Sequence, residues 1–288
     1  MGNRLSIKSV FSIAGAEYIK WITNPRIIIV GVLFLVMRTL AVEPLLERAE
    51  KMGERLSILE PFAAIGNSGM LVLLMPCVFL ILVSDYPVIT GNTLFVVLRT
   101  GKQNWFFGQL LFMLYAVFSF IGSVFLASVV MSRGSAALSW SEVVRMYEAR
   151  FPNEIGNYAS RLLPSNLYNQ IPLVKAVTQT AVLLAAYLFL LVLVLYFFKL
   201  LHLRGAGIFA VFVIIGMGMA SVSVSSPVKW VLPMANTIIW LHYTEIMSEP
   251  VYPVKYSFFY FVAAIIILLA ANYIALRKIQ FINIQETE

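Results

Sequence analysis

Apolar residues gather along this chain in six long runs separated by shorter polar stretches, near 26–43, 68–84, 106–131, 175–198, 206–226 and 257–276. Each run approaches the roughly 20 mainly apolar residues that a helix needs to cross a hydrocarbon core, so each predicts a membrane-spanning helix. The third is long enough that it should tilt or project beyond the bilayer. Arg38 interrupts the first run near its far end, and snorkelling to the headgroup level is its expected role. Ahead of the first run the pattern changes: Ile7, Val10, Phe11, Ala14, Tyr18, Trp21 and Ile22 fall at helical spacing, with Lys8, Ser12, Glu17 and Lys20 elsewhere around the helix. That pattern predicts an amphipathic helix lying in the membrane interface, with Phe11 on its apolar face, Tyr18 and Trp21 at headgroup depth, and Pro25 separating it from the first span.

The polar stretches have their own signatures. Between the first two runs, EPLLERAEKMGERLSILEPF sets Glu, Arg and Lys at i, i+4 spacings that suit a short exposed helix bounded by Pro44 and Pro61. Residues 132–174 form a larger loop, helical around SWSEVVRMYEARF. Residues 227–256 are aromatic and broken by prolines, and either lie at the outer interface or dip back between the spans. A dip requires backbone buried in protein or lining a cavity. The chain therefore divides into an interfacial helix at 1–25 and a six-span domain at 26–288, all-α and integral to a membrane.

Composition agrees: of 288 residues, 60% are hydrophobic and only 12% charged, more apolar surface than a water-facing globule could cover. The one cysteine, Cys77, lies within an apolar run, which excludes an internal disulfide and a cysteine metal cluster. The net charge of +7 comes from basic residues beside the spans rather than one dense patch, as orientation against an anionic membrane surface requires; nucleic acid is not an expected partner. These residues crowd the short loops and tails of one side, predicting that both termini are cytoplasmic. The opening residues lack the apolar core and cleavage site of a signal peptide.

Residues 84–109, SDYPVITGNTLFVVLRTGKQNWFFGQ, fall between the second and third spans on that cytoplasmic side. Pro87 and Gly91 break the chain after Asp85, NTLFVVLR forms a short helix, and Thr100 and Gly101 turn it before Lys102 and Trp105 lead into the next span. The expected product is a helix parallel to the membrane whose apolar Leu94, Phe95, Val97 and Leu98 dock into something, with Arg99 and Lys102 at the surface.

This stretch, with its Arg99, Gly101, Trp105 and Gly108, resembles the first cytoplasmic loop of ABC type-2 exporter permeases, and the layout of the whole chain is similar to theirs. The resemblance implies the type-2 exporter fold. It also implies that the loop holds a coupling helix, with Asp85, Thr93, Leu94, Phe95, Leu98, Arg99, Gly101 and Lys102 meeting a separate ATP-binding subunit. No G-x-x-x-x-G-K-[ST] phosphate loop occurs in the sequence, so ATP and Mg would be bound by a dimer of that partner, and this chain would hold no cofactor and no catalytic site. A second permease copy or a homologous permease would complete the pathway in the bacterial inner membrane. The scarcity of charge in the spans favours an amphipathic cargo: a peptide, such as an antimicrobial peptide, a lipid-linked compound or a drug.

Other chemistry finds less support. His202 and His242 have no nucleophile or ligand partner at a telling spacing, which argues against a hydrolase and a zinc site. A secondary transporter would need buried acids, and the runs hold almost none; a non-transporting receptor or immunity protein remains the other alternative. Within the spans, Gly216, Gly218 and Ala220 form a small-residue surface for packing, followed by Ser221, and with Tyr187 they are also candidates to line a pathway.

Overall fold

The computed structural model describes residues 5–87, 91–224, 226–244 and 249–278. Helix α1 (Ile7–Ile22) is capped by Ser6, whose hydroxyl accepts from the Ser9 amide at 3.4 Å. A 3-10 turn at Pro25–Ile27 then leads into α2 (Ile28–Met37). Here the structure departs from the sequence reading. The helix of the first run does not stop at 43: α2 continues through a π-helical turn, Arg38–Val42, into α3 (Glu43–Met52), giving one helix over Pro25–Met52. Proline is tolerated in the first turn of a helix, and the wider π turn, closed by the Glu43 amide on the Arg38 carbonyl, absorbs the donor that Pro44 lacks. At 1.5 Å per residue the 28 residues reach about 42 Å, more than a hydrocarbon core of about 30 Å, so the charged α3 extends beyond it. Arg38 Nε donates to Glu43 Oε1 at 3.0 Å, further toward that end of the helix.

The second span is broken. Helix α4 (Glu60–Asn67) meets α5 (Gly69–Val83) at 82° across Ser68, which is extended. Every residue of α4 is buried, so 60–67 belongs to the packed body and not to the exposed loop that the prolines suggested. Next come α6 (Gly91–Thr100), α7 (Lys102–Ser132), α8 (Glu142–Arg150), α9 (Ser165–Tyr168), α10 (Leu173–Leu200), α11 (Arg204–Val222), α12 (Pro233–Thr237) and α13 (Val254–Lys278). Among the described residues five helices are long and apolar enough to cross a membrane, and the bent pair α4–α5 makes a sixth crossing if it counts as one span. The protein is all-helical and passes a membrane several times.

Interactions at the helix ends separate two faces. On one, Arg26, Asp85, Lys199 and Arg204 converge, and Gln103 Nε2 reaches the Tyr273 hydroxyl at 3.2 Å; the start of α1 and the end of α13, the described residues nearest the termini, lie on this termini side. On the opposite face Lys51 pairs with Glu154 at 2.7 Å, and the segments at Ser57 and Ser135 exchange backbone bonds, Ser135 N to Leu56 O at 2.8 Å and Ile58 N to Ser135 O at 3.0 Å. Helix α10 is the centre, packed against α4, α5, α7, α11, α12 and α13.

The Pro-broken stretch after α11 turns inward. All of α12 is buried, and its irregular backbone finds partners in two asparagines. Asn236 Nδ2 donates to the carbonyls of Trp230 (2.8 Å) and Leu232 (3.0 Å), while its Oδ1 accepts from Ser257. Asn67 Oδ1 accepts the Ile239 amide at 2.7 Å, and the Asn67 carbonyl accepts Trp240 Nε1 at 2.9 Å. Buried partners of this kind are what non-helical backbone among spans requires.

Candidate functional site

The candidate surface is built on α6, on the termini side. Residues 88–90 of the predicted coupling loop lie outside the described residues; the helix itself follows as expected. Its pattern places Thr93 and Val97 inward, buried, with Leu94 half-buried. Phe95 and Leu98 stand outward, each 70% exposed, with Val96 beside them. Large apolar side chains exposed to this extent on a polar end face lack the burial that would justify them within this chain. Arg99 and Lys102 are exposed at the end of the helix. Between α6 and α7, Gly101 takes φ +88°, a left-handed conformation that a side chain would strain, and this sets the turn into the third span.

Asn104 ties three elements together at this turn. Its Nδ2 donates to the Thr100 carbonyl at 2.6 Å, and its Oδ1 accepts the Ser6 amide at 2.7 Å. Helix α1 consequently runs alongside α7. A Cβ on Gly108 would sit 2.7 Å from Ile13 Cγ2, and the Tyr18 hydroxyl meets Ser119 Oγ at 2.7 Å. Tyr18 also packs edge-on against Tyr115, and Trp21 is buried against Phe112. These two rings therefore pack on the third span, while Phe11 stays exposed. Between α1 and α6 lies a groove of about 400 Å³ lined by Lys8, Ser12, Glu17, Lys20, Val96 and Arg99 among others.

Asp85 is already engaged. Both its carboxylate oxygens pair with arginines, Arg26 and Arg204, and its carbonyl accepts from Lys199 Nζ. These partners went unrecognised in sequence because they sit 59 to 119 positions away; the available signal was that each is a charge at the end of an apolar run. The small-residue surface also divides. Gly218 is buried, and a Cβ there would lie 2.8 Å from Met234 Cβ of α12, whereas Gly216 has nothing within 4 Å and is exposed. Ser221 Oγ is spent on the Gly218 carbonyl at 2.7 Å. Tyr187 is fully buried in α10 with its hydroxyl unpaired.

A buried acid was missed. Glu60 is wholly buried at the start of α4 and accepts from the Ser57 amide and the Ser141 hydroxyl, each at 2.9 Å, and from the Ser141 amide. Comparison with models of known families, with curated proteins and with solved structures finds no match to this chain.

Proposed function

We propose that this chain is the membrane-spanning permease subunit of an exporter of the ABC type-2 kind, driven by a separate ATP-binding subunit that supplies ATP and Mg. The observation that carries the reading is α6: a short helix on the termini side, held by Asn104 and Gly101, that presents Phe95 and Leu98 outward at the junction of the second and third spans. A docked ATPase would bury those side chains, and its closure would be felt by α5 and α7 directly. In this reading the termini side is cytoplasmic, the membrane is the plasma membrane, and a second permease copy completes the path for an amphipathic cargo.

The test is gentle extraction from the native membrane followed by identification of co-purifying chains. A stoichiometric partner with a phosphate loop is expected, and Phe95→Glu with Leu98→Glu should release it while the spans stay folded. A preparation that remains monodisperse and carries no ATPase would refute the proposal. One observation favours a second reading, a secondary transporter: a buried carboxylate, Glu60, at the head of a broken span, a combination that ion-coupled carriers use. Transport abolished by collapsing ion gradients at constant ATP would select it.

A further inference from the structure

Where α5 and α10 end and where the first span and α11 begin, three cations surround one carboxylate: Arg26 and Arg204 on the Asp85 side chain, Lys199 on its carbonyl. Among the described residues Glu17 is another acid on this side, and it is held by Lys20 at 3.3 Å. The cluster thus keeps a surplus of two positive charges at the end of the spans, which is the level of lipid phosphates. Its guanidinium groups are not withdrawn into the protein, since the Arg26 and Arg204 side chains remain 45% and 59% exposed. Beside it opens a cleft of about 300 Å³ with charged groups at its mouth, Arg26, Asp85 and Arg204, and apolar walls formed by Leu80 and Ile81 of α5, Leu195 of α10, and Ile208, Val211 and Phe212 of α11.

We infer that this cleft is a binding site for an anionic phospholipid: the phosphate group sits between Arg26 and Arg204, and an acyl chain lies along α5 and α11. A guanidinium offers donors in a fork that matches phosphate oxygens, and those not facing Asp85 remain available. Basic pockets between helix ends attract lipid head groups by this surplus, and the apolar wall distinguishes a lipid from a free anion, which has no use for it. A zwitterionic lipid gains less, because its own ammonium opposes the surplus. The inference needs only a membrane and does not rest on the exporter reading.

The purified chain in detergent is titrated with phosphatidylglycerol, phosphatidylcholine or inorganic phosphate, and bound lipid is counted by native mass spectrometry alongside thermal unfolding. Phosphatidylglycerol is expected to remain bound and to raise the unfolding temperature, with phosphatidylcholine and phosphate having little effect. Removing a basic group near a membrane surface weakens anionic-lipid binding by about fivefold, so Arg26→Gln with Arg204→Gln should lower the affinity about thirtyfold. Ser84→Glu adds an acid at the mouth and leaves the Asp85 pairs in place; it should weaken binding in the same direction even if the double variant fails to fold. Equal binding of phosphatidylcholine, or undiminished lipid binding by these variants, would overturn the site. Protection by phosphate alone, equal to that of the lipid, would overturn the lipid and leave a free-anion site.

Discussion

Glu60 shows how much one side chain can hold. Its carboxylate accepts three hydrogen bonds, two of them from Ser141, which is also the N-cap residue of α8. A negative charge here complements the exposed amides and dipole of that helix end. Glu60→Ala would orphan buried donors, and hydrogen bonds to a charged acceptor contribute about 1.5–3 kcal/mol each; thermal unfolding in detergent should report a clear loss of stability. Glu60→Gln keeps the shape but turns an amino group toward donors, so it should rescue only in part. The two glycines of α11 make a sharper pair. Two positions apart on a helix point to opposite sides, so Gly218 meets Met234 while Gly216 meets nothing. Gly218→Leu should cost about 1–3 kcal/mol by overpacking, and Gly216→Ala should leave the unfolding temperature unchanged or raise it. The sequence reading grouped the two glycines in one surface although the helical period separates them, and the identity of the neighbour, α12, depends on a segment that turns back between spans.

At the scale of elements, length and composition placed the long helices well, since a run of twenty apolar residues has few alternatives in a membrane. What they misplaced were the interruptions. Prolines 44 and 61 were read as the two bounds of one short helix, yet Pro44 lies within the continuous helix of the first run, where the π turn takes up its missing amide, and Pro61 opens the separate, buried α4. The consequence is an outer layer in which α3 rises from the first span and is clasped to the loop after α8: Lys51 Nζ lies 2.7 Å from Glu154, whose other oxygen accepts the Tyr147 hydroxyl at 2.7 Å. Lys51 first, and then Tyr147, hold the Glu154 carboxyl below its ordinary value of 4.5. Because the folded-state value is depressed, the stabilisation is complete above pH 4.5 and is lost as the pH falls below it through the lowered value. Hydrogen exchange of residues 145–160 should therefore quicken in acid, beyond the intrinsic pH dependence measured on a peptide of that sequence. In Glu154→Gln it should already be fast at neutral pH and vary little further; an acid response that persists in this variant would place the switch elsewhere.

At the scale of the whole molecule, the charged ends decide how the spans alternate. Arg26 opens the first span and Asp85 follows the second, and they pair; Lys199 closes α10 and Arg204 opens α11, and both reach the same aspartate. These four ends share one face, so the bent α4–α5 pair must carry the chain back across, and α7 must cross again to bring α8 to the face where Lys51 meets Glu154. The sequence anticipated several crossings, six by its count against five or six in the structure, but not this evidence for their direction, which exists only once distant charges are brought together. It leads to a test that needs no knowledge of the cargo. With Cys77, the single cysteine, replaced by Ser, a cysteine is introduced at Phe95 or, separately, at Arg150, both exposed. In sealed cells an impermeant maleimide should label only one of the two, and permeabilisation should expose the other. Labelling of Arg150→Cys from outside would place α6 in the cytoplasm, where an ATP-binding partner could reach it. Labelling of Phe95→Cys instead would invert the orientation and remove the coupling role of α6, while the alternation of the spans would stand. Labelling of both from the same side would mean that α7 does not cross, and the fold itself would need revision.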